Sequence, residues 1–347
     1  MVARAQTASS TPAATPAAAT GPAAAPPAVT ADAPVYPANI TTIEATTKAG
    51  ILGIRAGDIP RYTQTGPIPN PAPARLGVLP PFPHDAKLPT IWTIGDSTVR
   101  TGINGTGDDK VGQWGWGTPL VAYFDPKKVN VVNRAVGGTT AMSFYNGQWK
   151  AMVNLLKPGD VVILQFGTNS GRGEVESVSG TDSFGSFIQA YITDTRAKGA
   201  TPVVCSLIPR NGRDSSGKIN RNANTQAGWA RQVAAAEGAG FIDLNELVAR
   251  KYDALDKAAV DDLFSGSPHT SWTGAVVNAE TVISGLKALK NDPVAAYYVP
   301  QVKEIAPAPD LSTPAGDAAK TEGAAAASSA SPASSTAPAA TPTAPAK

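Results

Sequence analysis

A serine, a glycine pair, an asparagine and a histidine stand along this chain where an acyl group could be transferred. Ser97 lies in "TIWTIGDSTVRTG" (90–102), just after an apolar, β-branched run that ends at Gly95. Gly137 and Gly138 close "NRAVGG", Asn169 sits in "GTNSG" (167–171), and His269 sits in "SGSPHTSWTGA" (265–275). A serine hydroxyl attacks a carbonyl as it gives up its proton, and a neutral imidazole can take that proton. The carbonyl oxygen then becomes an anion, which preorganised N–H donors stabilise by roughly 3 to 4 kcal/mol each. Glycines let backbone N–H groups approach such an oxygen, and an asparagine amide adds another donor. The chain has two histidines. His84, in "PPFPHDAK", precedes the first strand, whereas His269 lies in a loop, which makes His269 the candidate base. Taken singly, Ser97 or Thr98 reads as a cap or turn residue, the glycine pair as a tight turn, and Asn169 as a turn former. Their combination points to acyl transfer.

The elements that must position these groups are legible. "PTIWTIG" (89–95), "VNVVNRA" (129–135), "DVVILQFG" (160–167), "TPVVCSL" (201–207) and "GFIDL" (240–244) are short, β-branched and bounded by Gly, Pro, Asn or Asp. Helical spacing runs between them. In "SFGSFIQAYITDTRAKG", Phe184, Phe187, Ile188 and Tyr191 recur on one face and Gly199 marks the stop. "TQAGWARQVAAAEG", "NELVARKYDAL" and "GAVVNAETVISGLKALK" read the same way. Apolar strands alternating with helices predict a three-layer α/β/α fold around a five-stranded parallel sheet. In such sheets ligands bind beyond the carboxyl ends of the strands. Ser97, the Gly137-Gly138 pair and Asn169 follow the first three strands, and His269 precedes the last helix.

Of the 347 residues, 1–38 are mostly Ala, Pro and Thr, and 305–347 mostly Ala, Ser, Pro and Thr. Such segments bury too little apolar surface to offset the entropy lost on ordering, so both read as disordered tails. Residues 39–84 read as an extended strap, with "ITTIEATTKAGILGI" as a strand or short helix, and 85–300 as a single domain. The 29 basic and 27 acidic residues nearly balance and form no basic cluster, which argues against a nucleic-acid partner. No apolar run is long enough to cross a bilayer. Cys205, the one cysteine, rules out an intrachain disulfide and reads as a buried strand position. Two histidines without a His-x-His or a cysteine pair do not make a usual zinc site, and no metal or other cofactor is expected. Ala3-Arg4-Ala5 has the small-x-small form of a signal-peptidase site, with a low-complexity linker behind it. An apolar h-region is missing from the two residues before it, and the expected location is still secreted or periplasmic.

"GDST", "NRAVGG", "LKPGDVVILQFGTN" and "HTSWTGA" resemble, in order and spacing, the blocks of the SGNH (GDSL-type) hydrolases. With "GQWGWG" (112–117), "YITDTRAKGATPVV" (191–204) and "FIDLNEL" (241–247), the likeness is nearest to the rhamnogalacturonan acetylesterases and covers about 89–290. The resemblance implies Ser97 as nucleophile and His269 as general base. It implies an oxyanion hole from the backbone N–H groups of Ser97 and Gly138 and the side chain of Asn169, with Asp96 shaping the turn. The chain departs from the family at three places. Gly266 stands where an Asp usually precedes the base by three residues. Thr168 and Ser170 flank the block asparagine in place of His and Asp. Thr139, Thr140, Ala141 and Met142 follow the second block where polar or basic residues are common. Asp262 is then the expected partner of His269, with Asp261 or a backbone carbonyl as alternatives. Trp114, Trp116, Tyr145 and Trp149 could stack on sugar rings or pack in the core. The resemblance implies removal of acetyl groups from a plant cell-wall polysaccharide, pectic in kind. The alternatives are another SGNH esterase, lipase or xylan deacetylase, and a catalytically silent glycan-binding module.

Overall fold

The structure, a computed structural model, describes residues 48–55, 83–100 and 112–311. The tail at 1–38, the Ala3-Arg4-Ala5 site, most of the strap and the tail beyond Leu311 lie outside the described residues. Five strands, β1 (Thr90–Gly95), β2 (Asn130–Asn133), β3 (Val161–Gln165), β4 (Thr201–Cys205) and β5 (Gly240–Ile242), form one parallel sheet in the order β2-β1-β3-β4-β5. All five coincide with the runs expected from sequence. The α-helices of four or more residues among those described are α1 (Ala141–Phe144), α2 (Phe184–Ala197), α3 (Gln226–Ala236), α4 (Leu244–Asp253), α5 (Lys257–Asp261) and α6 (Trp272–Ala288). A π-helical turn, Tyr145–Trp149, continues α1.

Alternation along the strands divides the core. Ile91, Ile163 and Val203 pack with Leu247 and Val248 of α4 and Val282, Ile283 and Leu286 of α6. Trp92, Val162, Leu164 and Val204 face the other way, onto Phe184, Ile188 and Tyr191 of α2 and Ala230 and Val233 of α3. Every residue of β3 is therefore buried, the reason its sequence carries no polar alternation. Ser183 caps α2 by accepting the Ser186 N–H, and Ser271 caps α6 by accepting that of Gly274. No helix among the described residues is long and apolar enough to cross a membrane.

Two boundaries expected from sequence shift. Residues 48–55 of the strap form neither a strand nor a helix but a tight turn closed by the Ala49–Ile54 bridge. That turn docks on α6, where Trp272 Nε1 donates to the Ile54 carbonyl at 3.0 Å. At the other end the chain stays packed past 305: Ile305 joins the core, and the Ala308 N–H donates to the Ser284 carbonyl at 2.8 Å. Ile305 and Leu311 supply the apolar contacts that composition averaged over the tail conceals.

β1 pairs with β2 on one side and β3 on the other, so the chain reverses its direction of winding at β1. Crevices at such a switch point open beyond the carboxyl ends of the strands. The loops after β1, β2 and β3 meet there.

Candidate active site

Ser97 follows β1 in a turn, not at the cap of a helix. The Asp96 carbonyl accepts the N–H groups of Val99 and Arg100 at 3.2 and 3.1 Å. The Asp96 carboxylate accepts the N–H and the hydroxyl of Thr98 at 2.9 and 2.8 Å. Asp96 is fully buried, and that burial pushes its carboxyl above the usual range against the opposing hydrogen bonds from Thr98. Its role is to fold the turn, as expected.

A second segment backs the turn. The N–H groups of Gly115, Trp116 and Gly117 donate to the carbonyls of Arg100, Thr98 and Val99. A Cβ on Gly115 would stand 2.3 Å from the Val99 carbonyl carbon, so only glycine permits this approach. Trp116 Nε1 donates to Gln165 Oε1 at 2.7 Å, and Gln165 Nε2 donates to Thr98 Oγ1 at 2.6 Å. The chain Trp116–Gln165–Thr98–Asp96 thus fixes the turn that carries Ser97 to the end of β3.

His269 is held by a short loop ahead of α6. Its N–H donates to the Gly266 carbonyl at 2.9 Å, and its carbonyl accepts the Ser265 N–H at 3.0 Å. Thr270 then bridges to Trp114 and Phe264. Gly266 has φ +86°, a left-handed conformation that strains an L side chain, which accounts for glycine where the family commonly has Asp. This loop brings His269 Nε2 to 2.9 Å from Ser97 Oγ, hydrogen-bond distance across 172 residues of sequence.

The candidate oxyanion donors lie on the segments that follow β1, β2 and β3. The N–H of Val136, two residues ahead of Gly138, donates to the Gly95 carbonyl at 2.9 Å, which lays the second block alongside the end of β1. Asn169 Nδ2 donates to the Thr139 carbonyl at 3.1 Å, leaving its second N–H available. Among the described residues, the backbone N–H groups of Ser97 and Gly138 donate to no acceptor. Open N–H groups next to a serine are what a developing oxyanion requires.

The structure does not bring Asp262 to the ring. Asp262 is exposed at the C-terminal end of α5; its carbonyl accepts the Ser271 hydroxyl at 2.9 Å, and no hydrogen bond joins its carboxylate to His269. Asp261 is engaged elsewhere, accepting from Asn211 Nδ2 at 2.8 Å and Lys257 Nζ at 2.6 Å, contacts that hold its carboxyl below the ordinary range. Helix α5 has turned both side chains away. Asp262→Asn is accordingly expected to leave kcat close to that of the parent. A loss approaching the roughly 10⁴-fold that follows when an orienting carboxylate becomes an amide would overturn this placement.

The tryptophans are also corrected. Trp114, Trp116 and Trp149 are 2%, 0% and 0% exposed, so none offers a ring face to a sugar. Trp114 packs edge-on against Trp272, Trp116 supports the Ser97 turn, and Trp149 Nε1 donates to Asp194 Oδ2 at 2.9 Å. Tyr145 shares that Asp194 oxygen and packs on Phe187 and Tyr191.

The residues from Thr93 to Val276 match the model of the GDSL-like lipase/acylhydrolase family. This chain belongs to that family. A probable rhamnogalacturonan acetylesterase of Bacillus subtilis is 27% identical over 208 residues, covering 57% of this chain and 93% of the relative. The rhamnogalacturonan acetylesterase of Emericella nidulans is 27% identical over 234 residues, covering 61% and 88%. A crystal structure of a Bacillus subtilis protein superposes with a TM-score of 0.51 at 29% identity, covering 58% of this chain and 56% of that one. Family membership agrees with the SGNH resemblance read from the four blocks.

One residue escaped the sequence reading. Glu174 is 4% exposed, a buried carboxylate in the loop after β3. It accepts the Met142 N–H at the start of α1 and the Ser170 hydroxyl, both at 2.8 Å. Burial pushes its carboxyl up. Ser170 adjoins Asn169, and α1 begins three residues after Gly138, so Glu174 ties together the segments that carry Gly138 and Asn169. Because a misplacement of about 1 Å at a reacting centre costs about 10²-fold, Glu174→Ala is expected to lower kcat by about tenfold to a hundredfold. Glu174→Gln keeps an acceptor for Met142 and should retain most of the rate. Steady-state kinetics on the two variants separate these outcomes.

Proposed function

We propose that this chain is a serine esterase that removes acetyl groups from plant cell-wall polysaccharide of the rhamnogalacturonan or pectin class. The observation that carries this reading is the 2.9 Å contact between His269 Nε2 and Ser97 Oγ beside open N–H donors. In the first half-reaction, Ser97 Oγ attacks the acetyl carbonyl as His269 Nε2 takes its proton. The N–H groups of Ser97, Gly138 and Asn169 receive the oxyanion. His269 then gives the proton to the departing sugar hydroxyl, leaving acetyl-Ser97. Water repeats the sequence, with His269 as base and then acid, and acetate leaves.

The acetyl and pectic parts of the reading are supported by the names of the two relatives, one a rhamnogalacturonan acetylesterase and the other a probable rhamnogalacturonan acetylesterase. A silent glycan-binding module would have no use for a serine hydrogen-bonded to an imidazole. An extracellular or periplasmic place of action suits a polymer that cannot enter a cell, and Ala3-Arg4-Ala5 is in keeping with it.

Acetate release from acetylated rhamnogalacturonan, homogalacturonan and xylan tests the proposal. Release is expected from the pectic substrates. Release from xylan alone, or hydrolysis confined to long-chain acyl esters, would overturn it.

A further inference from the structure

We propose that Arg210 is a carboxylate-binding subsite that selects an acidic sugar chain at the mouth of the Ser97 site. This inference rests on the acetylesterase reading and sharpens it. The loop after β4 carries "PRNGR" at 209–213. Arg210 Nη2 donates to the Thr168 carbonyl at 2.9 Å, one residue before the oxyanion asparagine. The next residue, Asn211, donates its backbone N–H to Ser267 Oγ at 3.2 Å, two residues before His269. Residues 210 and 211 therefore span the gap between the oxyanion loop and the histidine loop. That places the Arg210 guanidinium at the rim of the catalytic crevice.

The charge there is uncompensated. Arg210 is exposed, and among the described residues its guanidinium makes no ion pair and no hydrogen bond beyond that to the Thr168 carbonyl. The acids beside this loop are bonded to other groups: Asp261 accepts from Asn211 Nδ2 and Lys257 Nζ, and Asp214 accepts from the Ser216 hydroxyl and the Lys218 N–H. Glu176, beyond the asparagine loop, accepts from Gln226 Nε2 at 2.8 Å. Arg172, three residues beyond Asn169, is exposed on the oxyanion loop and adds positive charge.

The other arginine-rich cleft of the molecule is different in kind. It encloses about 270 Å³ beside α4, and its Arg221, Arg231 and Arg250 are paired with Glu246, Asp253 and Asp243. Those pairs tie α3 and α4 to the neighbouring loop and leave no cation for a ligand. Arg210 has one donor fixed by the Thr168 carbonyl and the rest of its fork open. A planar guanidinium so held matches a carboxylate by two parallel N–H···O bonds. A uronic acid residue beside the acetylated sugar supplies that group; a neutral xylan does not.

The test compares acetylated rhamnogalacturonan oligosaccharide, which is acidic, with neutral 4-nitrophenyl acetate. Arg210→Gln is expected to raise KM for the acidic substrate and to lower the acidic-to-neutral ratio of kcat/KM by about tenfold. Arg210→Lys should recover part of that ratio, and added salt should erode it in the parent enzyme. An equal fall on both substrates would mean that Arg210 only braces the loop, and no fall would mean that it meets no carboxylate. Either result overturns the proposal. Binding of deacetylated oligogalacturonide to the Ser97→Ala protein gives a readout independent of turnover. Salt-sensitive binding lost on further Arg210→Gln substitution upholds the subsite even if acetate release fails and the acetylesterase reading with it. Absence of binding overturns the subsite alone.

Discussion

Ser97→Ala and His269→Ala should each reduce ester hydrolysis by roughly 10⁶-fold while leaving the fold intact. In a serine hydrolase, nucleophile and base act as one unit, so loss of either costs about as much as loss of both. Here the unit is the 2.9 Å contact between Ser97 Oγ and His269 Nε2. Without the hydroxyl no acyl-enzyme forms. Without the imidazole the hydroxyl keeps its proton and remains a weak nucleophile. Neither change should threaten the fold. Ser97 lies in a turn whose hydrogen bonds belong to Asp96, Thr98, Val99 and Arg100, and the His269 loop is held through backbone groups that an alanine retains. Turnover of 4-nitrophenyl acetate and labelling by a fluorophosphonate probe measure the effect, and thermal unfolding checks the fold. The double variant should be no slower than either single one. If Ser97→Ala kept a tenth of the parental rate, Ser97 would not be the nucleophile.

What sequence revealed and what it hid have physical reasons. The five strands were readable because a parallel sheet covered on both faces demands apolar, β-branched runs, and Val161–Gln165 is buried throughout. The helix after β3 was readable because Phe184, Ile188 and Tyr191 turn one face to the core and Gly199, at φ +71°, stops it. Ser97, the Gly137-Gly138 pair, Asn169 and His269 could be named as candidates because each follows a strand or precedes the last helix, and the sheet brings such places together; the family resemblance singled out Gly138 within its pair. Partners of a buried group are another matter. Nothing in the spacing of Glu174 shows that its carboxylate spans Met142 and Ser170, since that contact depends on how two loops fold against each other. The tryptophans misled for a related reason. Residue type says that a ring can stack on a sugar, but only packing decides whether its face is open, and Trp116 and Trp149 are sealed in the core. Asp262 looked near His269 in sequence, yet the helical turn of α5 directs it to solvent.

Asn169→Ala should lower kcat by about 10² to 10³-fold with a much smaller change in KM, the cost of one missing oxyanion donor. The selectivity for kcat follows from when the interaction forms. The neutral carbonyl of the substrate needs little from a third N–H group, whereas the anionic oxygen of the tetrahedral intermediate needs it most. Asn169 is well placed for this: 8% exposed, with one amide hydrogen given to the Thr139 carbonyl and the other left for the substrate. The Thr139 bond stops the amide from rotating, so its orientation need not be set during the reaction. Its loss should cost roughly 1 kcal/mol of stability, a modest lowering of the unfolding midpoint that cannot by itself produce a hundredfold loss of rate. Asn169→Asp sharpens the test. It nearly preserves shape but replaces a donor with a negative charge, which repels the developing oxyanion and faces the Thr139 carbonyl without a proton to offer. Its kcat should fall below that of Asn169→Ala. If the two variants were equally and only slightly slowed, the backbone N–H groups of Ser97 and Gly138 would carry the oxyanion alone, and Asn169 would be no more than a tie between the second and third blocks.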